Sequence, residues 1–509
     1  MKKFLKMLFG RLAIIGLPII LQIILFVALI FDASTKYYWL NLINGILGVI
    51  VFLHLVNSEM YPDNKIPWLV IILLTPLFGT VAYVLLCPKK VPYSMRKFLK
   101  KLDEKNRGFF NSGFVESNVA TVTGEYVGHS NYITKVKAGY PFTNTDVKYF
   151  SSGEDFLESL LSQLENAKKF IFMEYFIIEH GKMWNSVLEV LKRKVKEGVE
   201  VRLIYDDIGS MSKVSWSYDK ALKKYGIDAV KFSPFRPIVT AMHNNRDHRK
   251  ITIIDGKVAY TGGINLADEY INEKSPYGHW KDSAVMIKGK AVMSFTMAFL
   301  TTFDGCKRIA EDFAPYLNIE YESYQTAGYV QPFVDGPAPV LPEHVGENVY
   351  LNIINSAKKY LYVTTPYLIL DHELKNAFCL AAKRGVDVRI ITPNKPDKKI
   401  VYNITRSNYK GLISNGVKIY EYTPGFIHAK NIISDDSVGV VGTINLDYRS
   451  LVHHYECAVW MQGVDALDDI KLDFEKTFEN CNQITKDNFK MGFFTSITSK
   501  ILQIFTPLL

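Results

Sequence analysis

Cysteine is scarce in this chain of 509 residues, and the five present (Cys87, Cys306, Cys379, Cys457 and Cys481) are scattered and odd in number. No two stand at the spacing of a zinc site or a redox dithiol, so the sequence predicts free thiols, no disulfide framework and no bound metal. Charge is sparse too: 22% of residues are charged against 48% hydrophobic, which leaves ample material for a large core. Acidic residues are the minority, 51 Asp and Glu against 60 Lys and Arg, giving a net charge of +9. That excess suits an acidic partner, a nucleic acid or an anionic membrane surface, and does not choose between them. The length predicts two or three domains.

Charge is missing altogether from residues 12–31, "LAIIGLPIILQIILFVALIF". A helix of that length spans ~30 Å, the hydrocarbon thickness of a bilayer. A second run, 38–56, is interrupted by Asn41, Asn44 and His54, and a third, 66–86, carries Trp68 and Tyr83 near its edges. All three are expected to be transmembrane segments, making residues 1–90 a membrane region. The first run is too long for a cleaved leader, and Asp32-Ala33-Ser34 makes a poor cleavage site. Lys2, Lys3, Lys6 and Arg11 should hold the N-terminus in the cytoplasm, and a basic cluster from Lys89 to Lys101 pulls the catalytic portion to the same side. Three crossings cannot satisfy both. An even number of crossings is therefore expected, with 38–56 the weakest run and Pro18 able to kink the first, and with the catalytic portion facing the cytoplasm. Residues 91–145 read as a basic linker.

From residue 146 short apolar runs alternate with charged helical stretches, the pattern of an α/β fold. The stretches repeat. "LKRKVKEGVEVRLIYDD" from Leu191 matches "LAAKRGVDVRIITPNKPD" from Leu380, each with a glycine suited to a left-handed helix cap followed by a β-branched strand. "EYF" at Glu174 pairs with "PYL" at Pro366, and "YGIDAVKFSPF" at Tyr225 with "NGVKIYEYTPG" at Asn415. "RPIVTAMHNN" occurs in the first copy only. Ordered self-similarity at this period implies two homologous domains, 146–330 and 331–487, with Pro and Gly concentrated between about 310 and 345.

Each copy carries one motif: "HRKITIID" from His248 to Asp255 and "HAKNIISD" from His428 to Asp435. Histidine and lysine two apart on a strand project from one face. An asparagine stands ten residues beyond each aspartate, Asn265 after Asp255 and Asn445 after Asp435. His248, His428, Lys250, Lys430, Asn265 and Asn445, converging across a pseudo-twofold, would form a basic pocket for one phosphate group. Lysines supply charge to non-bridging oxygens and asparagine amides add donors. One neutral histidine can attack phosphorus to give a covalent phospho-enzyme, and the other can protonate the leaving oxygen and then deprotonate the incoming nucleophile. This chemistry needs no metal and no cofactor. Asp255 and Asp435 belong to the motif either as catalytic groups or as braces of the turn.

These residues resemble the phospholipase D superfamily, whose signature is His-x-Lys with Asp beyond, and in detail the bacterial cardiolipin synthases. The resemblance covers nearly the whole chain. "RDHRKITIIDGKVAYTGGINLADEY" resembles the family's first site, with Asp247 in place of an expected asparagine, and "GFIHAKNIISDDSVGVVGTINLDYRS" its second. "WLVIILLTPLFGTVAYVL" and the ending "FTPLL" resemble its membrane segment and tail. The resemblance implies two phospholipase D-like α/β/α domains about a pseudo-twofold behind N-terminal transmembrane helices. It also implies a multi-pass cell-membrane enzyme that passes a phosphatidyl group between two phosphatidylglycerol molecules and releases glycerol. The expected partners are phosphatidylglycerol and anionic lipids rather than nucleic acid. Asp282 and Glu456, at matching places in the two halves, are candidates to orient the histidines. Two residues before Glu456, His454 stands where the family commonly has asparagine. The same site would also serve a hydrolase, a phospholipase D or membrane-tethered nuclease, in which water replaces the alcohol. A scaffold with dead domains is disfavoured by two intact motifs. In the tail, 488–509, Phe489, Phe493, Ile497, Ile501 and Phe505 recur at i+4, which suits a helix lying in a bilayer interface or docked on the protein's own core.

Overall fold

Proline, not hydropathy, sets the helix boundaries near the N-terminus. The computed structural model describes residues 38–58, 60–87, 119–235, 244–337, 340–341 and 343–508, together with Ile24 and Ala28. These residues fall into two compact units, one drawn from 1–90, 234–245 and 500–509 and the other from 91–233 and 246–499. In the smaller unit a helix spans Tyr38–Val56. Lys65 donates to the carbonyls of Val56 (3.1 Å) and Ser58 (2.6 Å), a cation placed where the helix end is negative.

The run 66–86, expected as one span, is broken into helices Pro62–Leu74 and Pro76–Leu86. Pro76 has no N–H and disfavours helical backbone at the residue before it, and Thr75 accordingly sits at φ −138°, ψ 74°. At 13 and 11 residues the two pieces are only ~20 and ~17 Å long. No helix among the described residues is long and apolar enough to cross a membrane. The expectation of one unbroken helix at 66–86 is corrected at Pro76, and 12–31 lies outside the described residues apart from Ile24 and Ala28. The three helices pack through Leu55, Trp68, Ile72, Ala82 and Cys87. Trp39, Leu42, Ile46, Leu53 and Leu73 stay exposed. Within the same unit the final turn, Thr506–Leu508, packs against the helix Pro62–Leu74.

In the larger unit, seven strands belong to a first sheet: β1 (Asp146–Phe150), β2 (Phe170–Tyr175), β3 (Glu200–Asp206), β4 (Asp228–Phe232), β5 (Lys250–Ile254), β6 (Val258–Gly262) and, after the short β7 (His279–Lys281), β8 (Ala284–Lys288). The next strands are β9 (Tyr329–Asp335), β10 (Tyr360–Thr364), β11 (Asp387–Pro393), β12 (Lys418–Tyr422) and the short β13 (Gly425–Ile427). They continue with β14 (Asn431–Ser434), β15 (Val438–Gly442), β16 (Glu456–Gln462) and β17 (Cys481–Ile484). The sheet orders are β1-β8-β6-β5-β2-β3-β4 and, read from the equivalent edge, β9-β16-β15-β14-β10-β11-β12-β17. Strand for strand they match, with β17 added at one edge. In both, the motif strand (β5 or β14) lies antiparallel to the central parallel strand (β2 or β10).

The helices between strands start and stop as their sequences direct. Ser152 caps Gly153–Glu165 by accepting from the Asp155 N–H, and Asp371 caps His372–Lys383 by accepting from Leu374. Gly198 and Gly385 take the left-handed backbone expected of them, at φ 91° and 93°. One pairing is corrected. "EYF" does not match "PYL", because Ile178 bridges Leu266 as Leu368 bridges Leu446, which places Phe176 opposite Pro366 in the repeat. A slip of two keeps the same face of a strand, so aromatic similarity alone could not detect it.

The two sheets share a core. Phe172, Ile251, Ile253 and Val285 of the first lie in one buried cluster with Ile433, Val441 and Val459 of the second. The stretch expected as linker is also partly structured: Val122, Tyr126, Ile133 and Ala138 join the second half's core, and Gly139 and Phe142 bridge β9. The insertion "RPIVTAMHNN" lies mostly outside the described residues.

Candidate active site

Each motif histidine directly precedes an inner strand, and the backbone ahead of it pairs with the other half. Asp247 bridges Tyr455 in parallel, and β13 runs parallel to β7 with Ile427 opposite Lys281. The His248 N–H donates to the Tyr455 carbonyl (2.9 Å) and the His428 N–H to that of Lys281 (2.7 Å). The residue after each of those carbonyls is the other half's carboxylate. The carboxylates are therefore exchanged. His248 Nδ1 lies 3.0 Å from both oxygens of Glu456, and His428 Nδ1 lies 2.6 Å from Asp282 Oδ2. Both carboxylates are fully buried. Such a pair fixes the imidazole's tautomer and turns its other nitrogen, Nε2, toward substrate.

The carboxylates are themselves held. Ser450 donates to Glu456 at 2.5 Å and Thr443 also donates to it, while Asp282 accepts from the Ser283 N–H at 2.8 Å. Gly263, in the place that Thr443 fills in the second half, must be glycine, since a Cβ there would lie 2.0 Å from Asp282 Oδ1. Burial acts to raise both acids, but the charge and hydrogen bonds of His428 and Lys430 hold Asp282 below the usual range. His248 and His454 do the same for Glu456. Burial pushes the imidazoles down, His428 to about 4 and His248 well below 6.5.

Lys250 and Lys430 are 2% and 1% exposed. Each donates to the carbonyl of its own motif histidine, and Lys430 Nζ lies 2.8 Å from His428 Nδ1. Neither forms an ion pair among the described residues. Burial lowers Lys250 to about 8 and Lys430 to about 7, and the charge of Lys250 further lowers both Lys430 and His428. Each histidine meets the other half's carboxylate, so groups of both halves build each side of the site. With no carboxylate of the described residues at ion-pair distance, both ammonium groups are free to meet the oxygens of a phosphate.

The motif aspartates stand apart from this pocket. Asp255 accepts backbone N–H bonds from Lys168, Lys169 and Phe170 at 2.7–2.9 Å, and Asp435 accepts from Lys358, Lys359 and Tyr360 at 2.7–2.9 Å. Both sit at left-handed backbone, φ 54° and 56°. They tie the end of each motif strand to the start of the central strand, so a catalytic role for them is corrected to a bracing one. Asp255→Ala and Asp435→Ala should each cost roughly 2–4 kcal/mol, since each leaves three donors without a charged acceptor. Chemical denaturation should show that loss, while kcat per folded molecule stays close to wild type.

The asparagines are partly committed to the fold. Asn265 Oδ1 accepts from Ile177 N–H (3.0 Å) and its amide donates to Tyr270 Oη (2.6 Å), which leaves one amide hydrogen for a ligand. Asn445 Oδ1 is buried without a hydrogen-bond partner.

Several residues near the histidines escaped the sequence reading. Thr443 and Ser450 have no motif of their own, and the repeat does not mark them, since Gly263 and Tyr270 stand at the same distances from Asn265. Arg249 was also passed over, and it pairs with Glu174 (2.7 Å) and Asp247 (3.0 Å) beneath the site, which accounts for an aspartate at 247. The structure also gathers a group that linear spacing did not show: His248, His454 and Glu456 present ligand-type atoms within 4.8 Å of one another.

Two sheets of matching order that give one pocket paired histidine–lysine motifs, each histidine backed by the other half's carboxylate, define a phospholipase D-type enzyme. A family model described as cardiolipin synthase, phospholipase D-like domain, matches residues 160–298 and 350–480, and one described as phospholipase D-nuclease N-terminal matches 46–86. The chain is 32% identical over 472 residues to a cardiolipin synthase of Alkalihalophilus pseudofirmus, covering 91% of this chain and 92% of that one. It is 44% identical over 466 residues to an uncharacterized protein of Streptococcus mutans, covering 90% and 99%. In fold it is similar to a phosphatidylserine synthase of Haemophilus influenzae, with a TM-score of 0.55 at 14% identity, covering 75% of this chain and 98% of that one. The chain belongs to the cardiolipin synthase family of the phospholipase D superfamily.

Proposed function

We propose that this protein is a membrane-associated phosphatidyltransferase that converts two phosphatidylglycerol molecules to cardiolipin and glycerol through a covalent phosphohistidine. The observation that carries the reading is the pair of matched histidines, each backed by the other half's carboxylate, with a buried lysine beside each that makes no ion pair among the described residues. The cardiolipin synthase named among the relatives supports the choice of lipid.

With the phosphate held by Lys250 and Lys430, a neutral imidazole attacks phosphorus and the bond to the glycerol headgroup breaks. The second imidazole enters the step protonated, with the buried carboxylate behind it balancing the charge, and gives its Nε2 proton to the departing glycerol oxygen. A hydroxyl of a second phosphatidylglycerol then gives its proton back to that imidazole and attacks phosphorus, which breaks the P–N bond and frees the nucleophile. Asp282 and Glu456 stabilise each imidazolium as it forms. The exposed apolar side chains of the helix Tyr38–Val56 and of the tail helix Phe493–Phe505 (Phe493, Phe494, Ile497 and Ile501) suit contact with lipid. Attachment to the membrane through them, with the site on the cytoplasmic side, accords with the basic N-terminus.

The test is incubation of the purified full-length enzyme with labelled phosphatidylglycerol, with products read by lipid mass spectrometry. Cardiolipin and glycerol are expected. Phosphatidic acid alone would overturn transfer in favour of hydrolysis.

The pH profile is a second check. Below about pH 4 the His428 imidazole is protonated and cannot act as nucleophile or base, and above about pH 7–8 Lys430 and then Lys250 lose the charge that holds phosphate. The free-enzyme profile, kcat/KM, should therefore peak between about pH 4 and about pH 7 and fall on both sides, with its alkaline limb near pH 7. A kcat/KM that holds level from pH 6 to 9 would contradict the assigned role of the lysines.

A further inference from the structure

The two halves differ in the rings that face the histidines: Tyr270, Trp280 and Phe426 stand against His428, and Phe176 and His454 against His248. Two residues before its carboxylate, each half places an aromatic side chain against the other half's histidine. Trp280 lies 5.3 Å, centroid to centroid, from His428, and His454 lies 5.4 Å from His248. One side of the pocket is thus walled by an indole and the other by an imidazole. The side chain of His454 is 10% exposed, and its Nδ1 lies 3.6 Å from Glu456 Oε1. Neither ring nitrogen has a hydrogen-bond partner. Glu456 is already occupied by His248, Thr443 and Ser450. A buried imidazole whose polar atoms go unused carries a desolvation cost that a ligand group could remove.

We propose that His454 is a hydroxyl-binding residue for the acceptor lipid, taking a hydrogen bond from, or giving one to, a glycerol hydroxyl on the His248 side of the pocket. The proposal rests on the phosphatidyl-transfer reading. Its warrant is the distinction the site must make. A phosphodiester has a diacylglycerol arm and a hydroxylated headgroup arm, and a pocket with equivalent halves could not tell them apart. The indole wall offers apolar surface, and the imidazole wall offers a donor and an acceptor. A site built to hydrogen-bond a hydroxyl also discriminates against water, which cannot hold the same position through a carbon frame.

The test uses the full-length enzyme with labelled phosphatidylglycerol, comparing wild type, His454→Leu and His454→Asn. Cardiolipin and phosphatidic acid are quantified together, and thermal unfolding reports on the fold. His454→Leu should lower the cardiolipin-to-phosphatidic acid ratio about five- to tenfold while total phosphatidylglycerol consumption falls by less. His454→Asn, which keeps a donor and an acceptor, should recover much of the ratio. Equal loss of both products at an unchanged ratio would overturn the proposal and leave His454 a structural residue. Wild-type activity that EDTA abolishes and a single added divalent ion restores, with both variants insensitive to that ion, would also overturn it. That outcome would assign His248, His454 and Glu456 to a cation instead. Wild type that forms no cardiolipin under any condition would sink the transfer reading itself, a result distinguishable from any change confined to the variants.

Discussion

His248→Ala and His428→Ala should each lower turnover by about 10²–10⁴-fold or more while the protein stays folded. The two imidazoles divide one reaction between them. Loss of either the nucleophile or the acid–base partner therefore stalls both half-reactions. The double variant should be scarcely worse than either single one, because residues that act as a unit do not contribute additively. Cardiolipin formation at saturating phosphatidylglycerol measures the loss, and thermal unfolding confirms the fold. Retention of more than about a tenth of activity by either variant would mean that the halves do not share one site.

The second large effect belongs to the carboxylates. Asp282→Asn and Glu456→Gln should each reduce kcat by about 10²–10⁴-fold, since an amide neither stabilises an imidazolium nor enforces the tautomer the reaction needs. The diagnostic feature is which histidine responds. Asp282 raises the His428 pKa against burial, so Asp282→Asn should push it down further and leave His248 unmoved. Glu456→Gln should do the converse. Imidazole titration followed by NMR with labelled histidine would read both. If Asp282→Asn perturbed His248 instead, the exchange of carboxylates between halves would be wrong. Glu456→Gln should also be the less stable variant, because Glu456 accepts from Thr443 and Ser450 as well as facing His248.

Much of this was written in the sequence. The duplicated motif, with its asparagine in phase, named the histidines and lysines. The alternation of apolar runs and charged helices gave an α/β fold with two homologous halves, and the matched strand orders agree with it. These features are local, since period, spacing and residue type survive in one dimension. The break of 66–86 was equally local, as Pro76 announces it, but hydropathy averaged over a window reads straight through a proline.

Other features were decided only by tertiary structure. The spacing of Asp255 and Asp435 made them motif members, yet strand pairing turned their carboxylates onto the backbone of the neighbouring strand, away from the pocket. The assignment of Glu456 to His248 and of Asp282 to His428 spans 208 and 146 residues. Strand periodicity says which face a side chain takes but not which distant strand lies against it. Similarity between the halves predicts the same groups for each, whichever partner they serve. The parallel pairing of β13 with β7, and of Asp247 with Tyr455, settled the question by placing each histidine's backbone one residue short of the other half's carboxylate.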